Sequence, residues 1–168
     1  MVITIREIRI KDVQALISLM QQVFEASEYM LYDPGEYIPS LERATSKIEK
    51  VITSPHLAIL VAEDNDQLVG YLTIKTTPLK RIKHTAKISM GVLQAFQKRG
   101  IGFELLNFCK KWCKAHDISR IELNVVTQNT AAYQFYKKAN FTVEGEIRHS
   151  IKINDHYFNE YIMAYLLE

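Results

Sequence analysis

The sequence predicts an α/β protein: a mixed β-sheet flanked by helices. Three observations carry the prediction. Stretches rich in β-branched residues recur along the chain, as at 2–10, 57–62 and 118–127. Segments with apolar residues at helical spacing interrupt them, giving the order β-α-α-β-β-β-α-β-α-β-β. A glycine-containing turn, Gln97-Lys98-Arg99-Gly100-Ile101-Gly102, joins an apolar strand to a helix N-terminus. At 168 residues the chain can bury one core well and is too short for two ordinary domains, so a single domain over 1–168 is expected.

Residues 2–10 alternate and read as the first strand, with Asp12 as the expected N-cap of a helix that buries Val13, Leu16, Ile17, Met20 and Phe24. Helicity should fade near 25–28. The stretch 29–39, with Pro34, Gly35 and Pro39 but also Tyr29, Tyr32 and Tyr37, reads as a loop whose aromatics need a reason to be there. Ser40 caps a second helix to about residue 52, ended by Ser54-Pro55. Strands follow at 57–62 and 68–76, joined by the polar turn Asp64-Asn65-Asp66. A basic connection at 78–83 leads to a strand at 84–92, whose end, 88–92, reads as buried. The helix at 100–116 carries Leu105, Leu106, Cys109, Trp112 and Cys113 on one face. A strand at 118–127, a helix from Asn129 to about 139, and strands at 141–147 and 157–167 complete the chain, with a turn at Asn154-Asp155.

Composition narrows the function classes. Nearly half the residues (48%) are hydrophobic and 24% charged, the balance of a soluble globular protein. A net charge of +2 gives no argument for nucleic acid or membrane as partner. No apolar run approaches the roughly 20 residues that span a bilayer, and the N-terminus lacks a signal-peptide pattern, so a cytoplasmic location is expected. Cys109 and Cys113 lie four apart on one helix face, a poor geometry for a disulfide and no zinc site without histidine, so they read as buried free thiols and no metal is expected.

The turn at 97–102 has the properties of a phosphate cradle. The first N–H groups of a helix have no partner within it, and the helix dipole adds positive charge there. Gly100 and Gly102 allow close approach of an anion, and Gln97, Lys98 and Arg99 add donors and charge. The dinucleotide pattern G-x-G-x-x-G and the G-x-x-x-x-G-K-[ST] loop are both absent. Gln97-x-x-Gly100-x-Gly102 between strand and helix instead resembles the coenzyme A pyrophosphate loop of the GNAT superfamily of N-acetyltransferases. Asn129-x-x-Ala132-x-x-x-Tyr136, followed by Asn140-Phe141, resembles that family's second motif. The resemblance is specific from about residue 83 onward and rests on element order before that.

The resemblance implies the GNAT fold, with the sheet splayed between its fourth and fifth strands, and acetyl transfer from acetyl-CoA to a primary amine of a small molecule or protein. A non-catalytic acyl-CoA sensor is the alternative, and a homodimer is left open. It also implies that coenzyme A is held by Met90, Gly91 and Val92 on the fourth strand, by Gln97, Lys98, Arg99, Gly100, Ile101, Gly102 and Phe103 at the turn, and by Asn129, Ala132 and Tyr136. Tyr136 would be the acid that protonates the leaving thiolate, while Asn129 would cap its helix, bond the pantetheine arm, or both. Several relatives carry a glutamate base where this chain has Asn124, which cannot accept a proton at neutral pH. Glu122, on the same strand face, and His84 are the substitutes. Acceptor recognition is expected from Glu28, Tyr29, Tyr32, Glu36 and Tyr37 on the first loop and from Arg148, His149 and Tyr157 on the last hairpin. The basic run 75–87 is either a solvated face or a contact for the coenzyme 3′-phosphate or an acidic acceptor.

Overall fold

A computed structural model describes residues 2–168. The elements are β1 (Ile3–Glu7), α1 (Val13–Ala26), α2 (Leu41–Thr53), β2 (Leu57–Asp64), β3 (Gln67–Lys75), β4 (Thr85–Val92), α3 (Ile101–Ala115), β5 (Arg120–Val126), α4 (Thr130–Lys138), β6 (Thr142–Ile153) and β7 (His156–Leu166). They form a mixed sheet in the order β1-β2-β3-β4-β5-β7-β6, antiparallel except for the β4–β5 pair. The element order is the one read from the sequence.

Local chemistry explains most boundaries. The Ser40 hydroxyl accepts the Arg43 N–H at 3.2 Å and starts α2. The hairpins β2–β3 and β6–β7 turn on Asn65-Asp66 and Asn154-Asp155, all four with positive φ, the left-handed pair that tight hairpins require. In α1 the buried side chains are the five expected plus Leu19 and Val23. Cys109 and Cys113 are free and buried, with Sγ atoms 4.0 Å apart.

Four readings are corrected. β1 stops at Glu7, and Ile10–Asp12 form a 3-10 turn. Asp12 does not cap α1 with its side chain. Its carboxylate instead takes two hydrogen bonds from Arg6, at 2.7 and 3.0 Å, and the Arg9 N–H at 2.8 Å. β4 is not buried to its end: Ile88 is, but Ser89 is exposed and Met90, Gly91 and Val92 are half-buried. β6 runs to Ile153, because after a register break between Ile147 and Ile151 it resumes pairing with β7.

Two layers of helix cover the sheet. A Cβ on Gly70 would meet Leu105 of α3, whereas one on Gly91 would meet Val23 of α1 at 2.6 Å. In β3 and β4, therefore, Gly70, Leu72, Met90 and Val92 face α3, and Tyr71, Thr73, Ser89 and Gly91 face α1. The absent side chain of Gly91 is what lets β4 close against α1 and the Tyr71 ring.

The Arg6–Asp12 pair is buried, with side-chain exposures of 13% and 8%. Burial pushes the Asp12 carboxyl up, but the hydrogen bonds from Arg6 and the Arg9 amide outweigh it and hold it below its ordinary value. A carboxyl depressed in the folded state stabilises the fold above its unfolded value, about 3.9, and that contribution is lost as pH falls through the folded value. Asp12→Asn should cost roughly 3 kcal/mol at neutral pH. Urea unfolding below about pH 4 should also be less acid-sensitive in the variant than in the parent; equal acid sensitivity would place the linkage elsewhere.

Candidate active site

The site begins where β4 and β5 part. They pair in parallel over Thr85–Arg120, Ala86–Ile121 and Lys87–Glu122, and no further. Beyond that row β4 stays with β3 as far as Val92, and β5 stays with β7 as far as Val126. Backbone groups alternate sides along a strand. The Leu93 N–H bonds to Val69 of β3, so the groups of Met90 and Val92 point the other way, into the gap. Likewise the Thr127 N–H bonds to Asn159 of β7, so Asn124 turns its backbone to the gap from the opposite lip. The carbonyl of Val92 takes the Gln97 side-chain amide at 3.1 Å. The Met90 N–H and C=O and the Val92 N–H lie beyond the last β4–β5 pair, and such groups need a partner.

The gap opens onto the turn before α3. Lys98 has φ +59° and Gly100 φ +85°, and alternating backbone handedness converges successive N–H groups into an anion-binding concavity. The Glu104 N–H bonds to the Gly100 carbonyl at 3.1 Å, leaving those of Ile101, Gly102 and Phe103 at the open helix end. Arg99 lies with its guanidinium carbon 5.1 Å from the Phe96 ring centroid. Gly102 has a second reason to be glycine: a Cβ there would come within 2.9 Å of Phe135 on α4. Phe135 packs at a tilt against Phe103 at 4.8 Å and meets Tyr136 edge-on at 5.1 Å, so α4 is locked to the turn by aromatic contact.

On α4, the Asn129 side chain accepts the Ala132 N–H at 3.2 Å, which makes it a helix cap. Tyr136 is 8% exposed. Its hydroxyl has no hydrogen-bond partner among the described residues, and no partnerless side-chain oxygen among them is sealed from solvent, so it opens onto water. Burial raises its pKa well above the ordinary phenol value, which keeps it protonated across the working pH range. A neutral hydroxyl can donate a hydrogen bond.

The two candidate bases fare differently. Glu122 stands in the last paired row, at the vertex of the gap, facing the α1 side. Its Oε2 is held by Arg120 at 3.1 and 3.2 Å, and Arg120 is held in turn by Glu144 at 2.6 and 2.9 Å. The carboxylate is a member of an ion-pair network rather than a free acceptor. His84 is exposed at the far end of β4, six residues or roughly 20 Å of strand from Met90. The structure does not bring it to the gap, nor the basic run 75–87, whose loop lies at that same far end away from the anion-binding turn. Asn124 is exposed on the face shared with Glu122.

The expected acceptor elements stand at the open end. Tyr32 and Tyr37 pack on Phe24 near the C-terminus of α1, with centroids 5.1 Å apart in each case, so the loop tyrosines fold the loop down rather than project freely. Tyr29 is half-buried, and the exposed Glu36 accepts the Asp33 N–H at 2.9 Å while Glu28 stays exposed. The β6–β7 hairpin overshoots β5; there His149 stacks on Tyr157 at 4.6 Å, and Arg148 is exposed. Sequence reasoning missed Tyr71, Phe135 and Arg120, whose roles depend on neighbours distant in sequence.

A profile of the Acetyltransferase (GNAT) family matches residues 18–141. The chain belongs to the GNAT acetyltransferase family. It is 31% identical over 120 residues to the L-amino acid N-acetyltransferase AaaT of Escherichia coli, covering 69% of this chain and 72% of that protein. It is 26% identical over 172 residues to an N-alpha-acetyltransferase of Sulfurisphaera tokodaii, covering 97% and 90%. A GNAT acetyltransferase from Streptococcus pneumoniae superposes with a TM-score of 0.92 at 24% identity over 99% of this chain and 100% of that one. The yncA protein of Salmonella typhimurium, solved with its cofactor acetyl-CoA, gives 0.85 at 18% identity over 100% and 95%. The chain is accordingly an N-acetyltransferase, with the splayed sheet of that fold.

The Gly102–Phe135 contact is directly testable. Gly102→Ala should destabilise the protein by about 1–3 kcal/mol through overpacking. In a Phe135→Leu background, where the ring is gone, the same change should cost markedly less. Equal costs in both backgrounds, by thermal or urea melting, would mean that the two residues are not coupled.

Proposed function

We propose that the protein transfers the acetyl group of acetyl-CoA to an α-amino group. The observation that supports it most is the parting of β4 from β5 after Lys87–Glu122, which leaves the cleft-facing backbone of Met90 and Val92 without a strand partner. Those groups suit the amide-bearing arm of coenzyme A, and the N–H-lined turn at 98–103 suits its phosphates. When bound, acetyl-CoA supplies the acyl group as a thioester. Gln97, by tying Val92 to the turn, keeps the two halves of this site in register. Asn129 already spends its carbonyl on the cap and has its amide N–H groups left for the arm.

The Tyr136 hydroxyl, protonated and open to the cleft, gives its proton to the departing sulfur. The amine nitrogen loses a proton after attack, and solvent carries it away. A dedicated base is not needed for an α-amine, which titrates near 8 in peptides and is already in part neutral at pH 7. That fits a site in which Glu122 is tied to Arg120 and His84 is remote. It also agrees with the E. coli and S. tokodaii relatives, an L-amino acid N-acetyltransferase and an N-alpha-acetyltransferase.

Two experiments test this reading. Tyr136→Phe keeps the ring and removes the hydroxyl; turnover should fall roughly 10- to 1000-fold while calorimetry shows unchanged acetyl-CoA affinity. Undiminished turnover under conditions where chemistry is rate-limiting removes Tyr136 from the role. Separately, the acidic limb of kcat/KM should follow the ionisation of the amine supplied and survive in both Glu122→Gln and His84→Gln. A limb that disappears in either variant identifies that residue as the base after all.

A further inference from the structure

The attacking amine needs a hydrogen-bonding group on the α1 side of the cleft, because the α3 side is taken by the turn and by the side chains of Met90 and Val92. The polar atoms available there are few. Thr73 and Ser89 are joined hydroxyl to hydroxyl at 2.7 Å, Glu122 is held by Arg120, and Asn124 is exposed. Tyr71 differs from all of them. It is 1% exposed, yet its hydroxyl has no hydrogen-bond partner among the described residues. No partnerless side-chain oxygen among those residues is sealed from solvent, so the Tyr71 oxygen keeps a narrow opening.

The position of that oxygen follows from the ring. Tyr71 pairs with Gly91 across β3 and β4. Its Cε1 and Cζ lie 2.9 and 3.2 Å from where a Gly91 Cβ would stand, so the ring spans β4 and carries its hydroxyl over Gly91, in the middle of the cleft-lining segment. Burial keeps it neutral, so it can both accept an amine N–H and donate. Tyr71 also lines a cavity of about 20 Å³ between α1, α2 and β3, walled by Leu16, Ile17, Met20 and Ile48 and bordered by Tyr37, Thr73 and the cationic Lys47. That lining suits a small apolar group.

We infer that the Tyr71 hydroxyl receives the acceptor amine over Gly91, making Tyr71 a substrate-binding catalytic residue for α-amines that carry a small apolar substituent. This rests on the acetyltransferase reading above. A cationic or bulky neighbour to the amine has no partner in this lining and is disfavoured.

Tyr71→Phe tests it, since the variant keeps the ring that packs on Gly91 and Val23. The probes are the L-amino acids, their amides and alanyl dipeptides, assayed by thiol release with acetyl-CoA. The amine best used by the parent should lose about tenfold in kcat/KM, chiefly through KM, the size expected for one hydrogen bond to substrate. Calorimetry of the same amine on the protein loaded with coenzyme A, where no reaction can occur, should show a matching loss of affinity. Acetyl-CoA affinity and the thermal midpoint should not change. Unaltered kinetics in Tyr71→Phe overturn the role of Tyr71 alone. A parallel fall in coenzyme affinity and thermal midpoint overturns it too, in favour of a packing role. A parent that binds acetyl-CoA and acetylates none of the probes overturns the α-amine reading, and this inference with it.

Discussion

The active site depends on a hydrogen-bond ladder that stops early. β4 and β5 share three residue pairs and then diverge, although each remains in register with its other neighbour to its end. The sheet behaves as two half-sheets joined at one corner. Divergence leaves backbone groups facing each other across a space too wide for them to meet, and each costs about 1–3 kcal/mol if buried without a partner. The protein tolerates this because the cleft is open, as the half-buried Met90, Gly91 and Val92 show. A ligand that presents amides along an extended arm recovers those bonds, so the break in the ladder is itself a binding site.

The parting is held by contacts on both flanks. Gly91 draws β4 against Val23 and the Tyr71 ring, keeping it with the α1 half. On the other flank Tyr136 meets Phe141 edge-on at 5.6 Å, and Phe103 and Phe135 fasten α4 to the turn before α3. The Arg120–Glu122–Glu144 network sits at the vertex and ties β5 to β6 across β7. With Glu122 committed there, our proposal leaves the chemistry to neutral hydroxyls and to the ionisation of the acceptor. In the proposed reading the two faces of the cleft divide the labour: anion binding and leaving-group protonation on the α3 and α4 side, amine reception on the α1 side.

The two tyrosines illustrate how one side chain type serves opposite ends. Each is buried around its ring and open at its oxygen, so each phenol is pushed upward and stays neutral. Neutral hydroxyls keep the chamber free of a fixed charge that a bound thioester would have to desolvate.

The sequence by itself determined the elements and their order, the glycine turn before α3, the cap at Asn129 and the presence of Tyr136 on the helix it starts. Each of these depends on interactions within a few residues: helical spacing, positive φ at Gly100, a carbonyl reaching an N–H three residues on. It says less where partners come from afar. Asp12 read as a cap because its neighbours are a helix start, but Arg6 on β1 captures it. Glu122 read as a base because it shares a strand face with Asn124, but Glu144 from β6 positions the arginine that holds it. His84 was separated from the cleft by the length of a strand whose open end no local pattern reveals. Nothing local marks Tyr71, and only the register of β3 on β4 sets its ring over Gly91. Pairing register, and the point at which pairing ends, is decided by the whole sheet, so it is the tertiary structure that chose which polar groups meet.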